Sequence, residues 1–387
     1  MRIAQVAPYY HPHLGGVESH VETISKELAR RGHDVHIFTS LLEGTSPREE
    51  RQGCTIHRVP QLVNLFTTPV TPALHEALAR EGPWDLVHSH SPPPVTAYYS
   101  ARSARRLRVP HVLTYHCDLE LPFPGGSAVV EVFRRTLGRY SVSRSAALIA
   151  TTETYAATSR ALWHSPRIAV IPNPVDPARF SPGIKGGPIR ERHGLGDRPV
   201  ALFVGRLTHH KGVDDFIKAA RFTPPDVVHL IVGGGPHRAA FERLAADLQV
   251  TDKVVFAGKV DYQDLPKYYA AATVGVLPST SRLEAFGIAA LEAMATGKPV
   301  VLSRMPGMQE VIQDGETGLL AEPMDPQDLG AKIARITSDP ALAAAMGKRG
   351  RERILERFTL THVVDALEQV YQQVVTARPG GAPVPMP

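Results

Sequence analysis

This chain of 387 residues has only two cysteines, Cys54 and Cys117, and they lie far apart. That excludes a disulfide framework and a zinc site built on cysteine. No apolar run reaches the length of about 18 residues that a membrane-crossing helix needs. The opening Met1–Pro8 is too short, and too soon broken by proline, for a signal peptide. It reads as a buried first strand, and a cytoplasmic location is expected. Two further absences bear on chemistry. There is no Asp-x-Asp, so no metal-diphosphate site is expected, and no Gly-x-Ser-x-Gly elbow marks a hydrolase nucleophile. The pairs His11/His13, His88/His90 and His209/His210 lack the helical spacing and the carboxylate of a metalloprotease motif. No zinc site and no nucleic-acid motif is read from the sequence.

Charge is present but unevenly placed. The net charge is +5, and the stretch from Arg102 to Arg144 carries eight arginines against Asp118, Glu120 and Glu131, so it alone holds an excess of that size. Such a patch suits an anionic lipid surface or an acidic polymer, or is a solvated helix face. Within it, Val129–Val142 mixes Arg134, Arg135 and Arg139 with Val129, Val132, Phe133 and Leu137, a pattern that fits an amphipathic helix lying on a membrane. A core-packed helix with its arginines in water fits it too.

What fills the rest of the chain is βαβ grammar. Short apolar runs at Ile3–Ala7, Val35–Thr39, Leu86–Ser89, His111–Thr114, Leu148–Ala150 and Ile168–Ile171 alternate with helical patterns, which predicts a parallel, doubly wound sheet. The proline-rich 172–188 interrupts it and reads as a linker. The grammar restarts with Val200–Val204, Val228–Val232, Val254–Ala257, Val274–Leu277 and Pro299–Leu302. The expected organisation is an α/β protein of two Rossmann-like domains, 1–172 and 189–358, joined by a linker at 173–188. Ligands are expected at the carboxyl ends of both sheets, in a cleft between them. Thr361–Val375 is a helix that could cross back onto the first half, and 377–387 reads as a disordered tail.

Pro278–Met294 is the most informative stretch. Glu284 and Glu292 flank Phe286-Gly287-Ile288 at a helix start, and eight residues of helix would turn both carboxylates roughly to one side. The first-turn N–H groups suit a diphosphate, and Gly287 lets backbone approach a ligand. A buried helix with an acidic cap fits the same spacing. Gly205-Arg206 with Lys211-Gly212 puts two cations at the end of a strand, where they could neutralise a diphosphate; surface charge is the plainer alternative. Gly233-Gly234-Gly235-Pro236 makes a tight strand-to-helix turn, but Arg238 stands where a dinucleotide fingerprint needs its third glycine. Gly15-Gly16 and Glu18 open the first helix, as ligand contacts or as a cap. Tyr115, His116 and Asp118 end another strand, so His116 and Asp118 are expected to point into one cleft.

In this order the motifs resemble the large retaining glycosyltransferase family of the GT-B fold that includes phosphatidylinositol mannosyltransferases, sucrose-phosphate synthases and bacterial polysaccharide mannosyltransferases. The resemblance covers nearly the whole chain and includes Ile171-Pro172-Asn173-Pro174-Val175-Asp176, where the family often has glycine after the asparagine. It implies that Arg206 and Lys211 hold a donor diphosphate, with Gly205 and Gly234 in the donor loops. Glu284 would meet the donor hexose, Glu292 the ribose, and the backbone at Phe286, Gly287 and Ile288 phosphate and sugar. Gly16 would approach the diphosphate, and His116 would lie near the anomeric carbon, with Tyr115 and Asp118 toward the acceptor.

The expected activity is transfer of a hexose from a nucleotide-diphosphate sugar, of GDP-mannose or UDP-glucose type, to an acceptor hydroxyl with retained configuration. No metal and no cofactor beyond the donor is expected. The acceptor is a lipid-linked or soluble sugar or polyol, the setting cell-envelope glycolipid or polysaccharide synthesis, and attachment to an anionic membrane is a further expectation. A nucleotide-sugar epimerase shares the architecture and is the alternative.

Overall fold

The computed structural model describes residues 1–377 except 14, 66–67, 122, 163–164 and 166–167. The tail expected from 377 falls almost wholly outside the described residues. The chain divides into two compact units, Met1–Asn173 with Leu360 onward, and Pro174–Thr359.

The first unit holds β1 Arg2–Val6, β2 Asp34–Ser40, β3 Arg48–Arg51, β4 Cys54–Val59, β5 Val63–Leu65, β6 Thr68–Val70, β7 Leu86–Ser91, β8 His111–Tyr115, β9 Ala147–Ala150 and β10 Ile168–Val170. Eight of them form one sheet in the order β10-β9-β8-β7-β1-β2-β4-β3, while β5 and β6 pair separately. All neighbours in the large sheet are parallel except β3, which pairs antiparallel with β4. Both faces are covered, because side chains alternate across a strand. Ile3 packs with Val21, Ile24 and Leu28 of helix Gly16–Arg30 and with the C-terminal helix, whereas Ala4 and Val6 pack with Leu78, Trp84 and Ala104.

Strands β3, β4, β5 and β6 are absent from the expectation. Arg48–Arg51 is wholly charged, so it carries no apolar signal; it forms because Gln52 and Gly53, both at positive φ, turn the chain back onto β4. The C-terminal helix, Leu360–Thr376, places Val363, Leu367, Val370 and Tyr371 in the first unit's core. Arg31 and His33 tie it down through Asp365 and Glu368 at 2.5–2.8 Å.

The helix expected at Val129–Val142 runs as Gly126–Phe133, a wider π turn at Arg134–Gly138, and Arg139–Arg144. No side chain from 127 to 140 is fully buried, but Val129, Phe133 and Leu137 are half-buried, and the helix packs against helix Pro94–Leu107. Glu131 holds both Arg134 and Arg135, at 2.5–2.7 Å, and offsets one positive charge on that face.

The second unit holds β11 Val200–Val204, β12 Val228–Val232, β13 Val254–Gly258, β14 Val274–Leu277, β15 Val300–Ser303 and β16 Gly318–Ala321. They form one parallel sheet in the order β13-β12-β11-β14-β15-β16. Val200 and Leu202 face one core, Ala201 and Phe203 the other. The proline-rich 173–188 is not a free spacer. From Pro174 it belongs to this unit, where Val175 N–H donates to Phe358 O at 2.9 Å and Phe180 is buried against Tyr269. Prolines mark it as irregular, but apolar side chains every few residues pack it down.

Candidate active site

In a doubly wound sheet, ligands bind outside the carboxyl ends of the strands where the strand order reverses. In the second unit that point lies between β11 and β14, because β12 and β13 extend one way and β14 to β16 the other. The loop after β11 carries Gly205 to Gly212, and the loop after β14 carries Pro278 to Gly287. They meet closely. Gly212 has φ +67°, and a Cβ there would stand 1.8 Å from the Pro278 carbonyl oxygen. Thr280 N–H donates to His210 O at 3.0 Å, and Lys211 Nζ forms a short ion pair with Glu284 Oε2.

The loop after β12 closes the same corner. A Cβ on Gly233 would fall 1.8 Å from Gly205 O, and one on Gly235 2.5 Å from Leu207 O. Leu207 N–H donates to Gly234 O at 3.0 Å. Gly234 itself has ordinary space, so packing does not demand glycine there. Arg206 is exposed and, among the described residues, has no ion pair. Burial, with Lys211 and Arg206 next in weight, pushes the His210 imidazole down to about 4. It stays neutral beside two cations, so the corner is electropositive at neutral pH.

Gly287, at φ +88°, caps helix Ile288–Ala295, whose first N–H groups add positive potential. Phe286 is buried against Phe358, so only its backbone is available to a ligand. The two glutamates do not share partners. Glu284 precedes the helix and meets Lys211, whereas Glu292 turns into the core, 6% exposed, and accepts from Tyr269 Oη at 2.7 Å. Burial raises its carboxyl to about 7.

In the first unit the order reverses between β1 and β7. The loop after β1 leads to Gly16, where an added Cβ would meet nothing within 4 Å among the described residues, so their packing does not demand glycine there. Glu18 is buried with His13 Nδ1 3.1 Å from its Oε1. Around the reversal lies a polar network. Gln5 Nε2 donates to Tyr371 Oη at 3.0 Å, so its Oε1 faces His90 Nε2 at 3.1 Å. His90 Nδ1 then accepts, and His116 Nε2 donates to it across 3.0 Å. With the amide so turned, His116 carries its hydrogen on Nε2 and leaves Nδ1 as a lone pair. Tyr371 Oη also reaches His88 Nδ1 at 2.6 Å, and His88 Nε2 reaches Thr114 at 2.7 Å. Burial holds His88, His90 and His116 well below the ordinary imidazole range, so all are neutral.

Asp118 does not join His116. Its Oδ1 accepts from Tyr115 at 3.1 Å and Ser159 at 2.7 Å, while its N–H donates to Tyr155, so Tyr115 and Asp118 brace their loop. The sequence also missed His20, His90, Gln5 and Tyr371. Each comes from a different element, and only His90 carried the signal that singled out His116, a histidine at a strand's carboxyl end.

The family described as Glycosyltransferase Family 4 matches residues 14–179, and that described as Glycosyl transferases group 1 matches residues 188–353. The chain is 32% identical to a D-inositol 3-phosphate glycosyltransferase of Acidothermus cellulolyticus, over 97% of this chain and 91% of that one. It is 30% identical to the GDP-mannose-dependent alpha-(1-6)-phosphatidylinositol monomannoside mannosyltransferase of Mycolicibacterium smegmatis, over 90% and 92% of the two chains. A solved sucrose-phosphate synthase from Thermosynechococcus elongatus superposes with a TM-score of 0.80 at 25% identity, covering 97% of this chain and 99% of that one. Anabaena HepE, solved with UDP, shares the fold at a TM-score of 0.79 and 22% identity, over 96% and 100% of the chains. With both units matched and identity sustained along the chain, this protein belongs to the group 1 glycosyltransferases and has the GT-B fold.

Proposed function

We propose that this glycosyltransferase moves a hexose from a nucleotide-diphosphate sugar of GDP-mannose or UDP-glucose type to an acceptor hydroxyl, retaining configuration and needing no metal. The observation that carries this is the corner between β11 and β14, where the unpaired Arg206 stands with Lys211 and a helix N-terminus. Breaking the anomeric C–O bond delivers negative charge to the leaving diphosphate, and preorganised cations there stabilise it most. Glu284 orients Lys211 and takes a hexose hydroxyl. Glu292 would share its carboxylate between Tyr269 and a ribose hydroxyl. The leaving phosphate oxygen takes the acceptor's proton, and the neutral His116 accepts a hydrogen bond from a sugar hydroxyl at Nδ1.

Two relatives named for inositol-phosphate and phosphatidylinositol-mannoside transfer support a lipid-linked or soluble polyol acceptor in envelope synthesis. The helix at 126–144, whose outer face carries Val132 60% exposed, supports attachment to an anionic membrane face at the cytoplasmic side. Thermal shifts with UDP-, GDP-, ADP- and dTDP-sugars identify the donor, since a ligand that binds only the folded state stabilises it. NMR of the product from that donor then reads the anomeric configuration. An inverted product, or complete magnesium-reversible loss of transfer in EDTA, overturns the proposal.

A further inference from the structure

The histidines behind the first unit's strand ends form a cluster that hexose transfer does not use in full. His20 comes from helix Gly16–Arg30, His90 from the end of β7, and His116 from the residue after β8. One ring nitrogen of each lies within 4.8 Å of those of the other two. His20 is 9% exposed; its Nδ1 makes no close hydrogen bond, and the Asn173 side chain interacts with its ring. His90 gives its Nε2 hydrogen to Gln5 Oε1, so its Nδ1 is a lone pair, 3.0 Å from His116 Nε2. Orphaned buried nitrogens are uncommon, and this one belongs to the same cluster as two others.

We propose that His20, His90 and His116 form a binding site for a transition-metal cation of the Zn2+ or Co2+ class, through His20 Nδ1, His90 Nδ1 and His116 Nε2. Imidazole nitrogen suits these cations, whereas Mg2+ and Ca2+ prefer oxygen, which the cluster does not supply. On binding, the cation takes the place of the His116 Nε2 hydrogen, which that ring carries on Nδ1 instead. No proton is lost from the cluster. The rings adjust, the close His90–His116 pair opening slightly, until each nitrogen is about 2.1 Å from the metal, and a fourth position stays open to water. Gln5 Oε1, still accepting from His90 Nε2–H, is the outer partner that fixes the ring. His116 is the member not fully buried, and it marks the side of entry.

Occupancy would remove the His116 Nδ1 lone pair, so the cation should inhibit transfer while Mg2+ does not. That consequence rests on the function proposed for His116; the binding does not. The test uses the full chain, freed of metal by chelator and dialysed, then titrated with CoCl2 and competed with ZnCl2. One equivalent of Co2+ should give the visible d–d absorption of a four- or five-coordinate site and be displaced by Zn2+. His20→Gln and His90→Gln, each checked for folding by circular dichroism in chelator, should bind at least about 10-fold more weakly. No Co2+ absorption and no retained Zn2+ in the parent protein would overturn the site. Undiminished binding in both variants would do so as well, because the metal would then sit elsewhere. Stoichiometric binding with transfer unaffected would overturn the role given to His116 and leave the site standing.

Discussion

Lys211 and Glu284 form an ion pair that ties the loop after β11 to the loop after β14, the two loops that diverge where the strand order reverses. The pair is partly buried, with side-chain exposures of 24% and 12%, so it is screened less than a surface pair. Arg206, nearby and unpaired, is the cation left to meet an anion. Arg206→Ala is therefore expected to lower turnover by about 100-fold with the thermal midpoint unchanged. Lys211→Ala should cost as much turnover and also lower stability, because Glu284 loses its partner. Steady-state kinetics with differential scanning calorimetry separates the two. Arg206→Ala activity within a few-fold of the parent would remove it from the diphosphate site.

The glycines divide into two kinds, and alanine substitution should tell them apart. Gly212→Ala and Gly233→Ala must accommodate a Cβ 1.8 Å from a backbone oxygen at positive φ, so each should lower stability by more than about 2 kcal/mol. Gly16→Ala meets nothing within 4 Å and should leave stability within about 0.5 kcal/mol. If a ligand approaches that helix start, the same substitution raises KM. Urea titrations and initial rates on the three variants check this, and a destabilised Gly16→Ala would contradict it.

The buried histidines predict acid weakness. Their folded pKa values lie below the ordinary 6.5, with His20 and His57 near 4 and His111 near 3. The unfolded chain then takes up protons that the folded one refuses. Stability is complete above pH 6.5 and falls as pH drops toward 4, by up to about 1.4 kcal/mol per pH unit for each such group. The first unit holds most of them, and both tryptophans, Trp84 and Trp163, lie in its sequence. Urea midpoints followed by tryptophan fluorescence should fall steeply from pH 6.5 to 5. A flat profile there would show that these rings are protonated in the folded state.

Glu292 predicts the opposite slope. Its folded pKa of about 7 lies above the 4.5 of an ordinary glutamate, so its stability contribution is fully present below pH 4.5 and lost as pH rises to 7. Relative to the parent, Glu292→Gln should gain on the order of 3 kcal/mol across that window, since glutamine can still accept from Tyr269. If ribose shares the carboxylate, free nucleoside diphosphate should bind roughly 10-fold more weakly to the same variant. Chemical denaturation at pH 5 and 7.5, with isothermal titration, measures both. A variant less stable than the parent at pH 7.5 would contradict the buried-carboxyl account.

The sequence by itself determined most strands of the two parallel sheets, because strands buried on both faces are mostly continuous apolar runs, although β4 and β16 escaped it. Val200–Val204, Val228–Val232 and Val274–Leu277 stand at the expected residues for that reason. It also determined the strand-end loops of the second unit, since glycines beside cations after an apolar run leave few other readings. Tertiary structure decided the rest. Charged β3 is a strand only because β4 offers it an edge. Glu284 and Glu292 part company because helix Ile288–Ala295 turns one inward to Tyr269 while the turn before it holds the other at Lys211. His20, His90 and His116 meet because strand order, not sequence distance, sets which loop ends are neighbours. Periodicity reports which face of an element is buried, and it carries no information about which polar groups that burial brings together.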